Sequence, residues 1–465
     1  MTPSKRIKRS NASSPENQEK EESRFRLLEL PPELLVQVVN ILDDDRQIGT
    51  KFPPNACKEL HRLGQTNRMF WSLCRPKIWK NIRYKKSQLP LTANRDLFAF
   101  LEVCKQCEQL GIPNPPIQCL SLRGGNHFST FSEESQFLSR VLLKIQATLR
   151  VLWLTKFELQ KFIIDDFIKA LAACQLNAIR INQVEVLSNT LKWEDVEAIY
   201  KDAFKELRTV QILHSSFLWL VLAKFAPNVK SFLWWPSSRI IEDADQVVRK
   251  NMATLENISL DVVNHPSYLL GLSGLIKELH TQGTFLPLKE LFLESPLPKK
   301  NCYDLVYTLK HATQLRRLAW YHVGVTHATP SFFQKIHASC PHLNSLVILA
   351  GASGDTSRAL SWASPLDEYL PVLARFLNLK LFGWDYMSPR PQGTAGRARQ
   401  REWEEATLIQ MGRGLKNLKT AVAITEDSAE GARGYFAVFD GKGGATLKYK
   451  LVKDFLVPYD RWTIL

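Results

Sequence analysis

The sequence predicts an α+β chain in which a small helical unit precedes an irregular, right-handed α/β solenoid. Three observations point there. At 465 residues the chain exceeds the roughly 250–300 residues at which a single core stops growing, so more than one unit is expected. Residues 30–82 carry apolar positions at helical spacing behind a pair of prolines. From residue 117 onward a motif of the form apolar-x-x-apolar-x-apolar recurs, with helix-like segments between its copies.

Composition narrows the function classes. Hydrophobic residues make up 45% and charged residues 23%, the balance of a globular chain. The apolar run Phe217–Ala223 is broken by Lys224, far short of the roughly 20 residues that cross a bilayer, so no membrane span is expected. The N-terminus lacks the apolar core of a signal peptide. Eight scattered cysteines suit a reducing compartment, the nucleus or the cytoplasm. The net charge of +15 raises a nucleic-acid partner. Residues 1–26 hold seven Lys/Arg and four Glu and so account for only +3 of it. No stripe of Lys and Arg interleaved with aromatics follows, so an ordinary basic surface is expected rather than a nucleic-acid site.

Residues 1–26 have almost nothing to bury and are expected to form a disordered tail, within which Lys5-Arg6-Ile7-Lys8-Arg9 resembles a nuclear-import signal. Leu30-Pro31-Pro32-Glu33-Leu34-Leu35 then opens a helix, with the prolines in a first turn that needs no N–H partner. From Pro32 to Leu42, seven of eleven residues are large and apolar. That exceeds the stripe a helix needs against one neighbour and implies burial on two sides. A three-helix unit of about 50 residues cannot cover both, so a following domain or a partner must cover the second. Residues 43–59, with acids, Gly49 and Pro53-Pro54, read as an enlarged loop. Leu60, Leu63, Met69, Phe70, Leu73, Ile78 and Trp79 restore the apolar face.

This order (a Leu-Pro start, a helix, a Leu-rich helix, an aromatic, and a closing Trp with Ile82) resembles an F-box over residues 27–85. The 17-residue insertion 43–59 and Thr66, where a small apolar residue is usual, depart from it. The resemblance implies a non-catalytic, cofactor-free subunit that docks a Skp-type adaptor and, through it, a cullin–RING ubiquitin ligase of SCF type. The positions it implies as adaptor contacts or their supports are Leu30, Pro31, Leu34, Leu35, Val38, Ile41, Leu42, Leu63, Leu73 and Trp79.

Residues 86–116 read as a helical linker, with Cys104 and Cys107 on one face of an amphipathic helix from about Asp96 to Leu110. The repeating motif starts at Ile117, Leu149, Leu176, Leu207, Val229, Leu255, Leu288, Leu315, Leu343, Phe376 and Leu415, at intervals of 22 to 39 residues. Segments such as Ile241–Leu255, Cys302–Leu315 and Pro365–Leu379 supply intervening helices. A short strand followed by a helix at this period resembles leucine-rich repeats over residues 117–465, in which stacked units share one core and line a concave face with strands. The family's usual Asn or Cys after the strand motif is replaced here by Phe157, Val184, Ser215 or Val263. Residues 388–401 form a Pro/Gly/Arg loop expected to be flexible. Tyr435–Phe439 and Ala445–Leu451 around a Gly cluster read as a hairpin closing the last edge.

Catalytic and metal motifs are weak. Cys104-x-x-Cys107 with Cys119 and His127 has the element types of a zinc site, but buried reduced cysteines on a helix face and a strand explain them better. Gly441-Lys442-Gly443-Gly444 lacks P-loop spacing, Gly271-Leu272-Ser273-Gly274 is one residue short of a nucleophile elbow, and His-Glu-x-x-His is absent. No metal site is expected. The better candidate is the concave face. Strand alternation assigns to it Trp153, Arg180, Gln211, Trp235, Glu290, Phe292, Glu294, Arg317, Tyr321 and Lys380, types enriched at binding hot spots. The expected partner there is an unidentified protein target, with the chain present as one copy in the complex. Two other readings stay open: an interaction scaffold without ubiquitin transfer, and a basic nucleic-acid or chromatin binder.

Overall fold

A computed structural model describes residues 30–44, 58–85, 103–111, 115–123, 139–187, 200, 203–215, 218–236, 242–261, 267–294, 298–321, 327–349, 364–385, 402, 406–426, 433–439 and 445–451. The described residues divide into two compact units, one ending at Ile78 and the other beginning at Trp79. The tail 1–26, the loop 388–401 and most of the insertion 43–59 lie outside the described residues.

The described residues of the first unit form three helices: α1 (Pro32–Asp44), α2 (Lys58–Thr66) and α3 (Arg68–Ile78). Asn67 separates the last two and caps α3, its Oδ1 accepting the Phe70 N–H at 2.9 Å. Leu35, Val39, Leu60, Phe70, Cys74 and Ile78 are buried and form the unit's core. At Gly64 the helices approach so closely that a Cβ would lie 3.0 Å from Trp71 Cε3.

The second unit is built on one 14-stranded sheet whose strands follow one another in chain order. These are β1 (Asn81–Lys85), β2 (Cys119–Arg123), β3 (Val151–Gln160), β4 (Ala178–Leu187), β5 (Thr209–Ser215), β6 (Ser231–Pro236), β7 (Asn257–Asp261), β8 (Glu290–Glu294), β9 (Arg317–Tyr321), β10 (Ser345–Ile348), β11 (Leu381–Asp385), β12 (Thr420–Glu426), β13 (Arg433–Phe439) and β14 (Ala445–Leu451). Every pairing from β1 to β12 is parallel, and the helices between strands make this an α/β solenoid. The predicted hairpin is present as β13 and β14, paired antiparallel with Tyr435 opposite Tyr449, and β13 closes on β12.

Nine of the eleven predicted motif starts, Ile117 through Leu343, lie two residues before a strand. The last two are corrected by three residues. β11 and β12 begin two residues after Leu379 and Leu418, not after Phe376 and Leu415. The cause is an apolar run at spacing three (Phe376, Leu379, Phe382), all buried, which lets the motif be read one turn early. A twelfth unit also precedes the predicted first one. Trp79-x-x-Ile82-x-Tyr84 fits the motif, and β1 pairs with β2 from Asn81↔Cys119 to Lys85↔Arg123. The solenoid therefore starts at Trp79, inside the span 27–85 assigned to the helical module. In the predicted linker, residues 103–109 are helical.

Alternation puts the motif's apolar positions on one face, where Leu152, Leu154, Ile258, Leu260, Leu346 and Ile348 join a continuous core with helix residues such as Val247, Phe332 and Ile336. From β1 to β11, the carbonyl just ahead of each strand accepts two N–H groups from the next unit. Arg150 O takes Asn177 N (2.7 Å) and Ala178 N (3.1 Å), and Lys289 O takes Arg316 N (2.8 Å) and Arg317 N (3.1 Å). That double bond repeats along the sheet and locks its register.

Strands β3–β5 show what replaces the missing Asn. Lys156, Gln183 and His214 occupy the left-handed region (φ 58°, 53° and 45°) one residue past the paired positions Thr155, Asn182 and Leu213. Each such non-glycine residue costs roughly 1–2 kcal/mol. The turn buries Phe157 and Val184. The polar duty passes to neighbours: the Val184 N–H donates to Ser215 Oγ (3.0 Å), Ser215 Oγ donates to Leu213 O (2.7 Å), and Trp219 Nε1 donates to Val184 O (3.0 Å).

Candidate interaction surfaces

Helix α1 carries two apolar stripes at i, i+4, i+7 spacing. Leu35 and Val39 belong to the buried stripe, with Leu42 half-buried at its end. Leu34, Val38 and Ile41 form the other, and Leu34 and Ile41 are 41% and 61% exposed. Val36 (42%), Met69 (40%) and Trp71 (37%) are exposed apolar residues of the same unit that the family pattern did not single out. Their signal in the sequence was simply too many apolar residues for so short a segment. Of the remaining positions assigned to an adaptor, Pro31 is exposed and Leu30, Leu63 and Leu73 are half-buried. Leu35 is fully buried, so of the two roles it has that of a support. Trp79 is buried too, and its place in the helical module is corrected: it belongs to the repeat unit, at the first position of the first motif.

On the sheet, the face opposite the motif's apolar positions gathers nearly all of the residues assigned to it. The Arg180 guanidinium lies 4.2 Å from the centre of the Trp153 ring. Gln211, in register with Arg180, is 1% exposed, and neither its Oε1 nor its Nε2 has a hydrogen-bond partner. Trp235 stacks on Phe292 at 5.9 Å, and Phe292 meets Tyr321 edge-on at 4.7 Å. Glu290 and Arg317 pair at 2.8 Å, and Glu294 ends β8 opposite Tyr321. Lys380 is the exception. With β11 beginning at Leu381, Lys380 precedes the strand, and the open-face positions of that rung are Leu381 and Gly383. A Cβ on Gly383 would lie 3.0 Å from Val347 Cγ1, so a larger residue there would press on the Val347 side chain and make it shift. Ser259, buried with its Oγ unpartnered, and Leu233 also belong to this face, where the same alternation counted from Leu255 and Val229 puts them.

The residues ahead of the strands form a third surface. From β1 to β12 they are Lys80, Gln118, Arg150, Asn177, Arg208, Lys230, Glu256, Lys289, Arg316, Asn344, Lys380 and Lys419. Glu256 bridges Lys230 (3.1 Å) and Lys289 (2.6 Å). The Lys289 hydrogen bond, against the opposing effect of burial and with help from Lys230, holds the Glu256 carboxyl below its ordinary value.

Cys104, Cys107 and Cys119 are buried free thiols, and burial raises Cys104. Burial likewise pushes Cys174, Cys302 and Cys340 up to about 12, which keeps them protonated and unreactive at neutral pH. His127 lies outside the described residues, and among those described no group of three or more metal-ligating side chains occurs. Nor is any described helix long and apolar enough to cross a membrane.

No family model and no curated protein sequence matches the chain. Among solved structures, the leucine-rich repeat-containing protein LegL7 from Legionella pneumophila is similar at 14% identity, over 65% of this chain and 90% of that chain, with a TM-score of 0.37. A likeness that distant carries no functional argument. The solenoid assignment stands on the strand pairing above.

Proposed function

We propose that this chain is an adaptor-docked protein-interaction receptor: the unit 32–78 acts as an F-box that binds a Skp-type adaptor of an SCF-type ubiquitin ligase, and the repeats hold a protein target. The observation that carries the docking half is the second stripe of α1, where Leu34 and Ile41 remain exposed one above the other; Val36, Met69 and Trp71 are further exposed apolar residues of the same unit. Several large apolar side chains left exposed on a unit this small point to a partner site. The open face of the repeats supports the target half, because the half-buried Trp153, Trp235 and Tyr321 supply aromatic anchors on paired strands, with the buried Arg180 and Phe292 packed against them. In this reading no bond is made or broken on the chain itself. It accelerates transfer by holding the target beside the charged conjugating enzyme, a proximity effect. The reading places the protein in the nucleus or cytoplasm.

The test is co-purification of the full chain with the adaptor, followed by comparison of target levels in cells that express the full chain or a form lacking residues 30–78. Adaptor capture together with target accumulation in the deletion supports the receptor. Capture without any accumulating protein reduces it to a scaffold, and absence of capture removes the F-box assignment.

A further inference from the structure

Pairing gathers residues 22 to 39 positions apart into one line along the edge where the strands begin, and that line is basic: eight of its twelve positions are Lys or Arg and one, Glu256, is acidic. Along the chain these residues show no cluster, which is why the sequence offered no basic stripe. Two hydrogen bonds at each carbonyl from Lys80 to Lys380, and one at Lys419, fix the backbone, so neighbouring side chains start about 4.8 Å apart. Lys230, Lys289, Lys380 and Lys419 are exposed. The arginines are held in place by the turn before them, Arg316 Nη1 donating to Thr313 O (3.0 Å) and Leu315 O (3.2 Å), and Arg208 Nη1 to Lys205 O (3.4 Å). A guanidinium already held loses less conformational freedom when an anion binds.

We propose that this edge binds an extended acidic segment of a protein partner, carboxylates running along the ladder. The proposal deepens the target-binding half of the reading above and rests on it. The seven steps from Arg208 to Lys419 span about 34 Å, the reach of about ten extended residues. Two features favour a polypeptide over a nucleic-acid strand. The column contains no aromatic residue on which bases could stack. Glu256 sits midway along it, where a continuous phosphate backbone would meet a carboxylate, whereas a peptide can place a neutral or basic side chain there.

The experiment uses the full chain and three fluorescent probes: a Glu-rich peptide of about twelve residues, the same peptide with Gln for Glu, and a single-stranded oligonucleotide of equal formal charge. The Glu peptide is expected to bind, to weaken as salt rises, and to outbind both other probes. Lys380→Glu/Lys419→Glu is expected to lower its affinity at least about tenfold while adaptor capture and the melting temperature stay unchanged. Lys380→Gln/Lys419→Gln, which removes charge without adding repulsion, is expected to give a smaller loss in the same direction. No binding of the Glu peptide at low salt, affinity within about twofold in both variants, or tighter binding of the oligonucleotide would each overturn the proposal. Loss of adaptor capture by the wild type would instead count against the F-box reading and leave the ladder standing.

Discussion

In the repeats, Leu291, Trp320 and Phe332 are no more than 2% exposed, while in the unit 32–78 Leu34, Val36 and Ile41 are at least 41% exposed. Both regions are rich in apolar residues, and the difference lies in what covers them. A repeat has a neighbour on each side, and each strand–helix layer closes the face that the previous one leaves open. Three short helices have one interior, and it is filled by Leu35, Val39, Leu60, Phe70, Cys74 and Ile78. Among the described residues of the unit, Leu34 and Ile41 of the second stripe of α1 are left exposed. The layers bury the apolar residues named in the repeats, whereas those on the outer stripe of α1 stay exposed; under the proposed docking the exposed ones serve recognition, and substitution can separate that role from stability.

The largest effect is expected where the repeat core is densest. Phe332 meets Trp320, Phe333 and Tyr303 at ring distances of 5.6 to 6.2 Å, so Phe332→Ala should leave a cavity and cost about 3–5 kcal/mol in denaturant unfolding. A cost below about 1 kcal/mol would mean that the layers repack freely and that the contrast with the helical unit is overstated. Ser215→Ala comes next. It strands the buried Val184 N–H and should cost about 1–3 kcal/mol, as expected if this hydroxyl is what satisfies the turn at Gln183 in β4.

The repeats were legible in the sequence as far as their apolar grammar was unambiguous. Nine motif starts predicted their strands because one set of apolar positions fitted and the competing spacings did not. At Phe376 two registers fitted equally, since a step of three residues lands on another buried apolar residue. A three-residue shift also inverts strand alternation, and that is how Lys380 was assigned to the wrong face. β1 was missed because Trp79 and Ile82 fit two patterns at once, the close of the F-box-like order read from the sequence and the opening of a repeat. The basic edge was invisible for a different reason: proximity along it is created by pairing alone. In the helical unit the excess of apolar residues could be read directly, but not which stripe was the inner one, because 34/38/41 and 35/39/42 have the same periodicity.

A smaller effect sharpens the view of the ladder as part of the fold. The folded Glu256 carboxyl is held below its ordinary value, so its contribution is present above the unfolded-state value and is lost as pH falls through the folded one. At neutral pH, Glu256→Gln should be less stable than wild type by about 1 kcal/mol at most, and the gap should close on acidification. A gap that persists in acid would show that the carboxyl's charge is not what matters.

The smallest effect on stability, and the largest on binding, is expected from Leu34→Asp/Ile41→Asp, because both side chains are already exposed. The most direct test of the account is adaptor capture by this full-length double variant, with its thermal unfolding measured alongside. Unfolding within about 0.5 kcal/mol of wild type together with loss of capture is the predicted result. Undiminished capture would contradict the claim that the outer stripe of α1 is the docking surface.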